Sequence, residues 1–172
     1  VGEDNLIFGN GSDEIIALAV RTFVNDGDEV VIARPTFLIY EIVSQIQNAK
    51  IKLVPLAKDF RYDLEAMKKA ITENTSMVFI ANPDNPTGSY VTKSELSEFF
   101  KRLPEDLIVF LDEAYFEFAK FSYKDYPNGL DYLERPGVIV ARSFSKAYGL
   151  AGLRIGYGIS NAEVINYMER SR

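Results

Sequence analysis

The chain has 172 residues, of which 47% are hydrophobic and 26% charged, and its 19 basic and 25 acidic side chains give a net charge of -6. It contains no histidine and no cysteine, which excludes Ser-His-Asp and Cys-His mechanisms and zinc sites built from these residues. The acidic balance argues against nucleic-acid or membrane partners. The length fits a single domain, and because no apolar run is long enough to span a bilayer, we expect a soluble, cytoplasmic protein.

Short apolar runs alternate with segments of helical period, which is typical of βαβ units. Apolar stripes, expected to face the core, predict helices after Ser12, around residues 42–46, from Leu64 to Ile71, and after Thr92 as far as Leu103. Residues 116–136 are predicted to be irregular, with a helical turn. The predicted strands cover residues 5–8, 29–33, 51–55, 76–81, 107–111, 138–141 and 153–159.

The last two predicted strands are separated only by residues 143–152. A parallel crossover needs a dozen or more residues, so we expect one of these strands to run antiparallel. The sequence therefore predicts a three-layer α/β/α fold around a mostly parallel, seven-stranded sheet.

Polar residues follow five of the predicted strands, at the edge of an open α/β sheet where ligands bind. The loop at residues 9–13 opens a helix and is interpreted either as a phosphate seat or as a glycine turn with a helix cap. Ser143, Ser145 and Arg154 are candidates to complete an anion site. The five loops lie at residues 9–13, 34–37, 82–88, 112–115 and 142–146.

Two further residues in these loops carry reactive groups. Lys146 is interpreted either as an amine nucleophile or as a solvated lysine in a turn. Asp112 and Glu113 are adjacent and should point to opposite faces of the sheet, which disfavours a two-carboxylate metal site and favours Asp112 alone facing a ring nitrogen. Phe37 is either a stacking surface or a core residue, and Tyr115 is likewise either a functional or a structural residue.

No single one of these residues identifies a ligand, but their combination indicates one cofactor. Pyridoxal 5'-phosphate (PLP) uses a lysine amine, a carboxylate at its pyridine nitrogen, an aromatic face and a phosphate seat. A nucleotide-binding α/β domain is the alternative outside this cofactor class, although the sequence lacks its glycine fingerprint.

Five motifs occur in order along the chain: GNGSDE at residues 9–14, PTF at 35–37, NPDNPTG at 82–88, DEAY at 112–115 and SFSKAYGLAGLR at 143–154. Together they resemble the large domain of fold-type I PLP enzymes, and within that group they look most like histidinol-phosphate aminotransferases. Two positions depart from the family pattern: Asp84 stands where asparagine is frequent, and Phe37 where tyrosine is frequent.

The resemblance implies a role for each matching residue. Lys146 would form the Schiff base with PLP and shuttle the substrate proton, and Asp112 would hold the pyridine nitrogen protonated. Phe37 would stack on the ring. The remaining implied ligands are Asn85 and Tyr115 for the ring oxygen, and Ser12, Asp13, Ser143, Ser145 and Arg154 for the phosphate.

The resemblance also implies a homodimer that transfers an amino group from L-histidinol phosphate to 2-oxoglutarate. Residues 1–172 would be a large domain without the family's N-terminal arm and C-terminal small domain. The alternatives are an aromatic aminotransferase, an amino-acid-phosphate decarboxylase and a noncatalytic PLP-binding domain.

Overall fold

The computed structural model describes residues 1–101 and 103–172. In these residues the chain forms seven strands and six α-helices, together with three short 3-10 turns. The elements are β1 (Leu6–Asn10), α1 (Gly11–Phe23), β2 (Glu29–Arg34), α2 (Ile39–Ile46), β3 (Lys50–Pro55), α3 (Leu64–Ala70), β4 (Thr75–Ala81), α4 (Lys93–Phe100), β5 (Ile108–Asp112), α5 (Phe116–Ser122), β6 (Val138–Ser143), β7 (Ile155–Ile159) and α6 (Ala162–Arg170).

The seven strands form one sheet in the order β1-β7-β6-β5-β4-β2-β3. Strand β7 runs antiparallel to both of its neighbours, β1 and β6, while the other pairings are parallel. The prediction of a mostly parallel sheet with one antiparallel strand is therefore confirmed. Because β7 is reversed, its amino end lies at the same edge as the carboxyl ends of the other strands.

Helices cover both faces of the sheet and make the three predicted layers. Helix α1 packs on β1, β6 and β7 and contacts α2 and α6, whereas α3 contacts α4. The direction of chain progression through the sheet reverses after β3, so right-handed crossovers place α2 and α3 on opposite faces. Strands covered on both sides can be apolar throughout, and every residue of β5 and β6 is buried.

Two predicted apolar stripes are only partly confirmed. Helix α2 forms as predicted, but Ile42 and Ile46 are exposed on its outer side. Helix α4 begins after the Thr92–Glu95 capping box as predicted, with Thr92 N–H donating to Glu95 Oε2 at 2.8 Å. It ends before Leu103, which packs against the core from the following turn.

The first strand, predicted over residues 5–8, extends to Asn10, and other differences lie late in the chain. The last strand begins two residues later than predicted because Arg154 has a left-handed conformation, with φ of 53°. The segment predicted as irregular holds α5 and a 3-10 turn at Gly129–Tyr132. Helix α6 was not predicted, although Asn161 caps it by accepting from Val164 N–H at 2.9 Å. Among the described helices, none has the length and apolar character needed to span a bilayer.

Candidate functional site

A cleft of about 130 Å³ opens at the sheet edge where the carboxyl ends of the parallel strands meet the amino end of β7. All ten residues that the sequence analysis selected line it: Ser12, Asp13, Phe37, Asn85, Asp112, Tyr115, Ser143, Ser145, Lys146 and Arg154. The structure therefore brings together all ten predicted positions.

The first turn of α1 forms one end of the cleft. Gly11 N–H donates to the carbonyl of Arg154 at 2.8 Å. In the part of the chain that the structure describes, no acceptor takes the next two N–H groups, those of Ser12 and Asp13. Free N–H groups and the positive end of the helix dipole favour an anion at this position.

Strand β7 approaches this turn so closely that only glycine fits at Gly156. A Cβ atom at Gly156 would lie 2.3 Å from both the carbonyl carbon of Gly11 and the backbone nitrogen of Ser12. Gly11 itself has φ of +72°, a conformation that favours glycine. These two glycines allow β7 and α1 to form a narrow cradle lined by backbone N–H groups.

Two hydroxyl groups and a guanidinium surround the same end of the cleft. Ser143 Oγ accepts a hydrogen bond from Ser145 N–H at 3.0 Å. Ser145 Oγ is buried and has no hydrogen-bond partner among the described residues. Arg154 Nη2 lies 3.3 Å from Asp13 Oδ2 in a half-exposed ion pair. An anion here would supply the acceptor that Ser145 lacks.

Asp112 lies at the floor of the cleft, at the end of β5, and is only 5% exposed. Its two carboxylate oxygens accept hydrogen bonds from Tyr40 Oη at 2.7 Å and from Ala114 N–H at 3.0 Å. Burial raises the pKa of Asp112, while the hydrogen bonds from Tyr40 and Ala114 act in the opposite direction. Tyr40 was absent from the predicted site residues, although it stands only three residues after Phe37, in the apolar stripe of α2.

Lys146 follows β6 and its side chain is exposed at the cleft. Its Nζ atom lies 5.3 Å from the centre of the Tyr115 ring, and no hydrogen-bond or ion-pair partner holds it within the described part of the chain. The side-chain amide of Asn85 and the hydroxyl of Tyr115 are likewise without hydrogen-bond partners in that part of the chain. An amine, an amide and a phenol thus remain available to a ligand.

Asp84 connects the loop that carries Asn85 to the loop that carries Phe37 by hydrogen bonds. Its Oδ1 accepts from Thr36 Oγ1 at 2.6 Å and from Tyr62 Oη at 3.1 Å. Its Oδ2 accepts from the hydroxyl and the N–H of Thr87. The aspartate at this position, a departure from the family pattern, therefore has a full set of partners.

Glu113 and Asp112 do not form a joint carboxylate site. Glu113 accepts hydrogen bonds from Arg142 and from Gly129 N–H, whereas Asp112 bonds to Tyr40. The alternation of side chains along a strand places these two carboxylates on opposite faces. Within the described residues there is no cluster of three or more metal-ligating side chains.

Comparisons with known proteins show which proteins this chain is similar to. Histidinol-phosphate aminotransferase 2 of Carboxydothermus hydrogenoformans is 49% identical over 161 residues, which are 93% of this chain and 44% of that protein. The histidinol-phosphate aminotransferase of Moorella thermoacetica is 46% identical over 174 residues, which cover 100% of this chain and 44% of that protein. The chain thus spans less than half the length of these relatives.

A solved structure of a histidinol-phosphate aminotransferase is also similar to this chain. The crystal structure of histidinol-phosphate aminotransferase from Sinorhizobium meliloti in complex with pyridoxal-5'-phosphate superposes with a TM-score of 0.91 at 37% identity, over 98% of this chain and 46% of that chain. The profile of the family described as aminotransferase class I and II matches residues 2–172. The chain therefore belongs to the class I and II aminotransferase family.

Proposed function

We propose that the full-length protein is a PLP-dependent aminotransferase that transfers an amino group from L-histidinol phosphate to 2-oxoglutarate. The observation that carries the proposal is the cleft itself, where Lys146, Asp112 and the anion cradle of α1 meet at one edge of the sheet. The names of the relatives support the choice of donor. Residues 1–172 would then be the cofactor-binding domain of this enzyme.

The residues of the cleft fit PLP, as the unused polar groups indicate. The buried Ser145 Oγ lacks a partner, and a side chain at Gly156 would fill the cradle that the phosphate needs. Ser12, Asp13, Ser143, Ser145 and Arg154 would hold the phosphate. Phe37 would cover one ring face, Asn85 and Tyr115 would donate to the ring oxygen, and Asp112 would accept from the ring N–H.

PLP, when bound, supplies an electron sink for the carbanion that forms at the α-carbon of an amino donor. The protein's own residues would hold and orient the cofactor and carry protons. Lys146 Nζ would hold the cofactor covalently and then, once displaced by the donor, would carry the α-carbon proton. Asp112, as a carboxylate, would keep the proton on the ring nitrogen. Phe37 and the phosphate ligands would fix the ring's orientation.

The experiment that tests this proposal is a half-reaction series with the purified full-length protein and PLP. Loss of the visible absorbance of the bound cofactor is followed after addition of L-histidinol phosphate, L-phenylalanine or O-phospho-L-threonine. We expect the highest kcat/KM for L-histidinol phosphate and no activity in Lys146→Ala. A preference for phenylalanine, release of CO₂ from the phosphorylated amino acid, or cofactor binding without any half-reaction would each contradict it. The homodimer and the cytoplasmic location stay predictions.

A further inference from the structure

Tyr40 lies beneath the cleft in the first turn of α2 and is fully buried. Its hydroxyl donates to Asp112 Oδ2 at 2.7 Å, while Ala114 N–H donates to the other carboxylate oxygen at 3.0 Å. The two donors come from different elements, α2 and the loop after β5. A carboxylate held at both oxygens in this way has a fixed plane.

The ring of Tyr40 is itself held on two sides. It stacks on Phe79 of β4, with ring centres 4.6 Å apart and an angle of 11° between the planes. It meets Phe37 edge to face, at 5.7 Å and 86°. Tyr40 therefore contacts both the carboxylate at the cleft floor and the aromatic side chain on the cleft wall.

We propose that Tyr40 is a positioning residue of the cofactor site, which orients the Asp112 carboxylate toward the ring nitrogen and holds Phe37 against the ring. This inference rests on the proposed function, and it adds a residue that acts through its contacts with Asp112 and Phe37. Tyr40 would link two residues that contact the cofactor ring: Phe37, in the loop after β2, and Asp112, at the end of β5.

The electrostatics around Asp112 suit this role. Burial raises the pKa of the Tyr40 phenol far above its usual range, so the hydroxyl keeps its proton and acts as a donor to the carboxylate. Its hydrogen bond lowers the pKa of Asp112 against the effect of burial. Among the charged groups around Asp112, Asp13 of α1 raises its pKa and Lys146 lowers it, and Glu113 on the opposite face is also coupled to it electrostatically.

The test compares Tyr40→Phe with wild-type full-length protein, first without PLP. Selective ¹³C labelling of aspartate carboxyls, with Asp112→Asn for assignment, gives the Asp112 pKa by NMR. Loss of a hydrogen bond to a charged group should raise the proton affinity of Asp112 about tenfold. In the holoenzyme, a carboxylate of higher proton affinity competes better for the proton of the ring nitrogen. The ¹⁵N shift of PLP labelled at that nitrogen should therefore move toward the value of the deprotonated pyridine, and PLP affinity should fall about tenfold.

Tyr62→Phe is the matched control. Tyr62 is also a buried tyrosine that bonds to a carboxylate, but its partner is Asp84. This variant should leave the proton affinity of Asp112 unchanged within about twofold. A purely structural role for Tyr40 would lower the free energy of unfolding without moving the Asp112 titration.

The outcomes separate the two proposals. A wild type that does not bind PLP would overturn the proposed function. A wild type that binds PLP, with an Asp112 titration unmoved in Tyr40→Phe or moved equally in Tyr62→Phe, would overturn the role of Tyr40 alone. Should Tyr40→Phe fail to fold, 3-fluorotyrosine at position 40 keeps the ring and is a stronger donor. It should lower the proton affinity of Asp112, and an unchanged or raised affinity would overturn the inference.

Discussion

The guanidinium of Arg142 donates two hydrogen bonds to Glu113 Oε2, at 2.7 and 2.9 Å. The pair is buried and lies on the sheet face opposite Asp112, where Arg142 also stacks over the Phe116 ring at 3.7 Å. The other Glu113 oxygen accepts from Gly129 N–H at 2.7 Å. One ion pair thus joins β5, β6 and the long segment between them directly behind the cleft.

Arg142→Ala should destabilise the protein more at high pH than at low pH. Burial raises the pKa of Glu113 to about 7, and Arg142 opposes this, so the variant should raise it further. Between the unfolded pKa of 4.5 and the folded value, the folded state binds more protons, and stability therefore falls as pH rises. We expect a loss of about 3 kcal/mol near pH 8 and a smaller loss near pH 5.5, measured by urea unfolding.

Lys93→Ala is the control for this pH dependence. It breaks the exposed pair between Lys93 and Asp131, whose charged atoms lie 3.2 Å apart. Exposed pairs contribute little, so its effect should be small at both pH values. An equal loss of stability in Arg142→Ala at the two pH values would contradict the account of Glu113.

Gly156→Ala should disrupt the anion cradle. The new Cβ would meet backbone atoms of Gly11 and Ser12 at 2.3 Å, so strand β7 or the first turn of α1 must move. We expect PLP affinity to fall at least about tenfold, measured by equilibrium titration of the apo protein. Gly158→Ala is the control in the same strand, because its Cβ would also make close contacts, at 2.8 and 2.9 Å, but with side-chain atoms of Ile15 and Ile7 and with no backbone atom of the cradle. Equal PLP affinities in the two variants would be inconsistent with the cradle.

Ser145→Ala should weaken PLP binding without affecting stability. The Ser145 hydroxyl has no partner among the described residues, so its removal should change the free energy of unfolding by less than about 0.5 kcal/mol. PLP affinity should fall about tenfold if the hydroxyl binds the phosphate. Both quantities are measured on one preparation, by urea unfolding and by PLP titration.

Ser160→Ala should give the reverse pattern. Ser160 is buried and donates to the carbonyl of Val138 at 2.6 Å, outside the cleft. Its loss should cost about 1–2 kcal/mol of stability and leave PLP affinity unchanged. Weakened PLP binding in Ser160→Ala, or unaltered binding in Ser145→Ala, would contradict the assigned phosphate contacts.

Much of the cleft could be predicted because its residues follow strands directly. The place of Asp112 or Ser143 at the sheet edge depends only on where an apolar run ends, which is a local property of the sequence. Arg154 was placed inside a strand, yet it still lines the cleft because β7 is reversed and begins at the same edge. The error in the strand boundary therefore did not affect the prediction of the site.

Tyr40 could not be predicted in the same way. Its partner Asp112 is 72 residues away along the chain, and nothing local in α2 indicates that one polar residue of its stripe points inward. The exposure of Ile42 and Ile46 has the same origin, because an apolar pattern does not specify what covers each side of a helix. Helix α6, by contrast, carried a usable local signal in Asn161 and the apolar residues after it.

Borohydride reduction of the full-length protein with PLP, followed by peptide mass mapping, tests whether Lys146 is the residue that holds the cofactor. Reduction fixes the cofactor to the lysine that holds it. We expect a single modified peptide containing Lys146, and no modified peptide in Lys146→Ala. A stable adduct on a different lysine, or full transamination by Lys146→Ala, would contradict it.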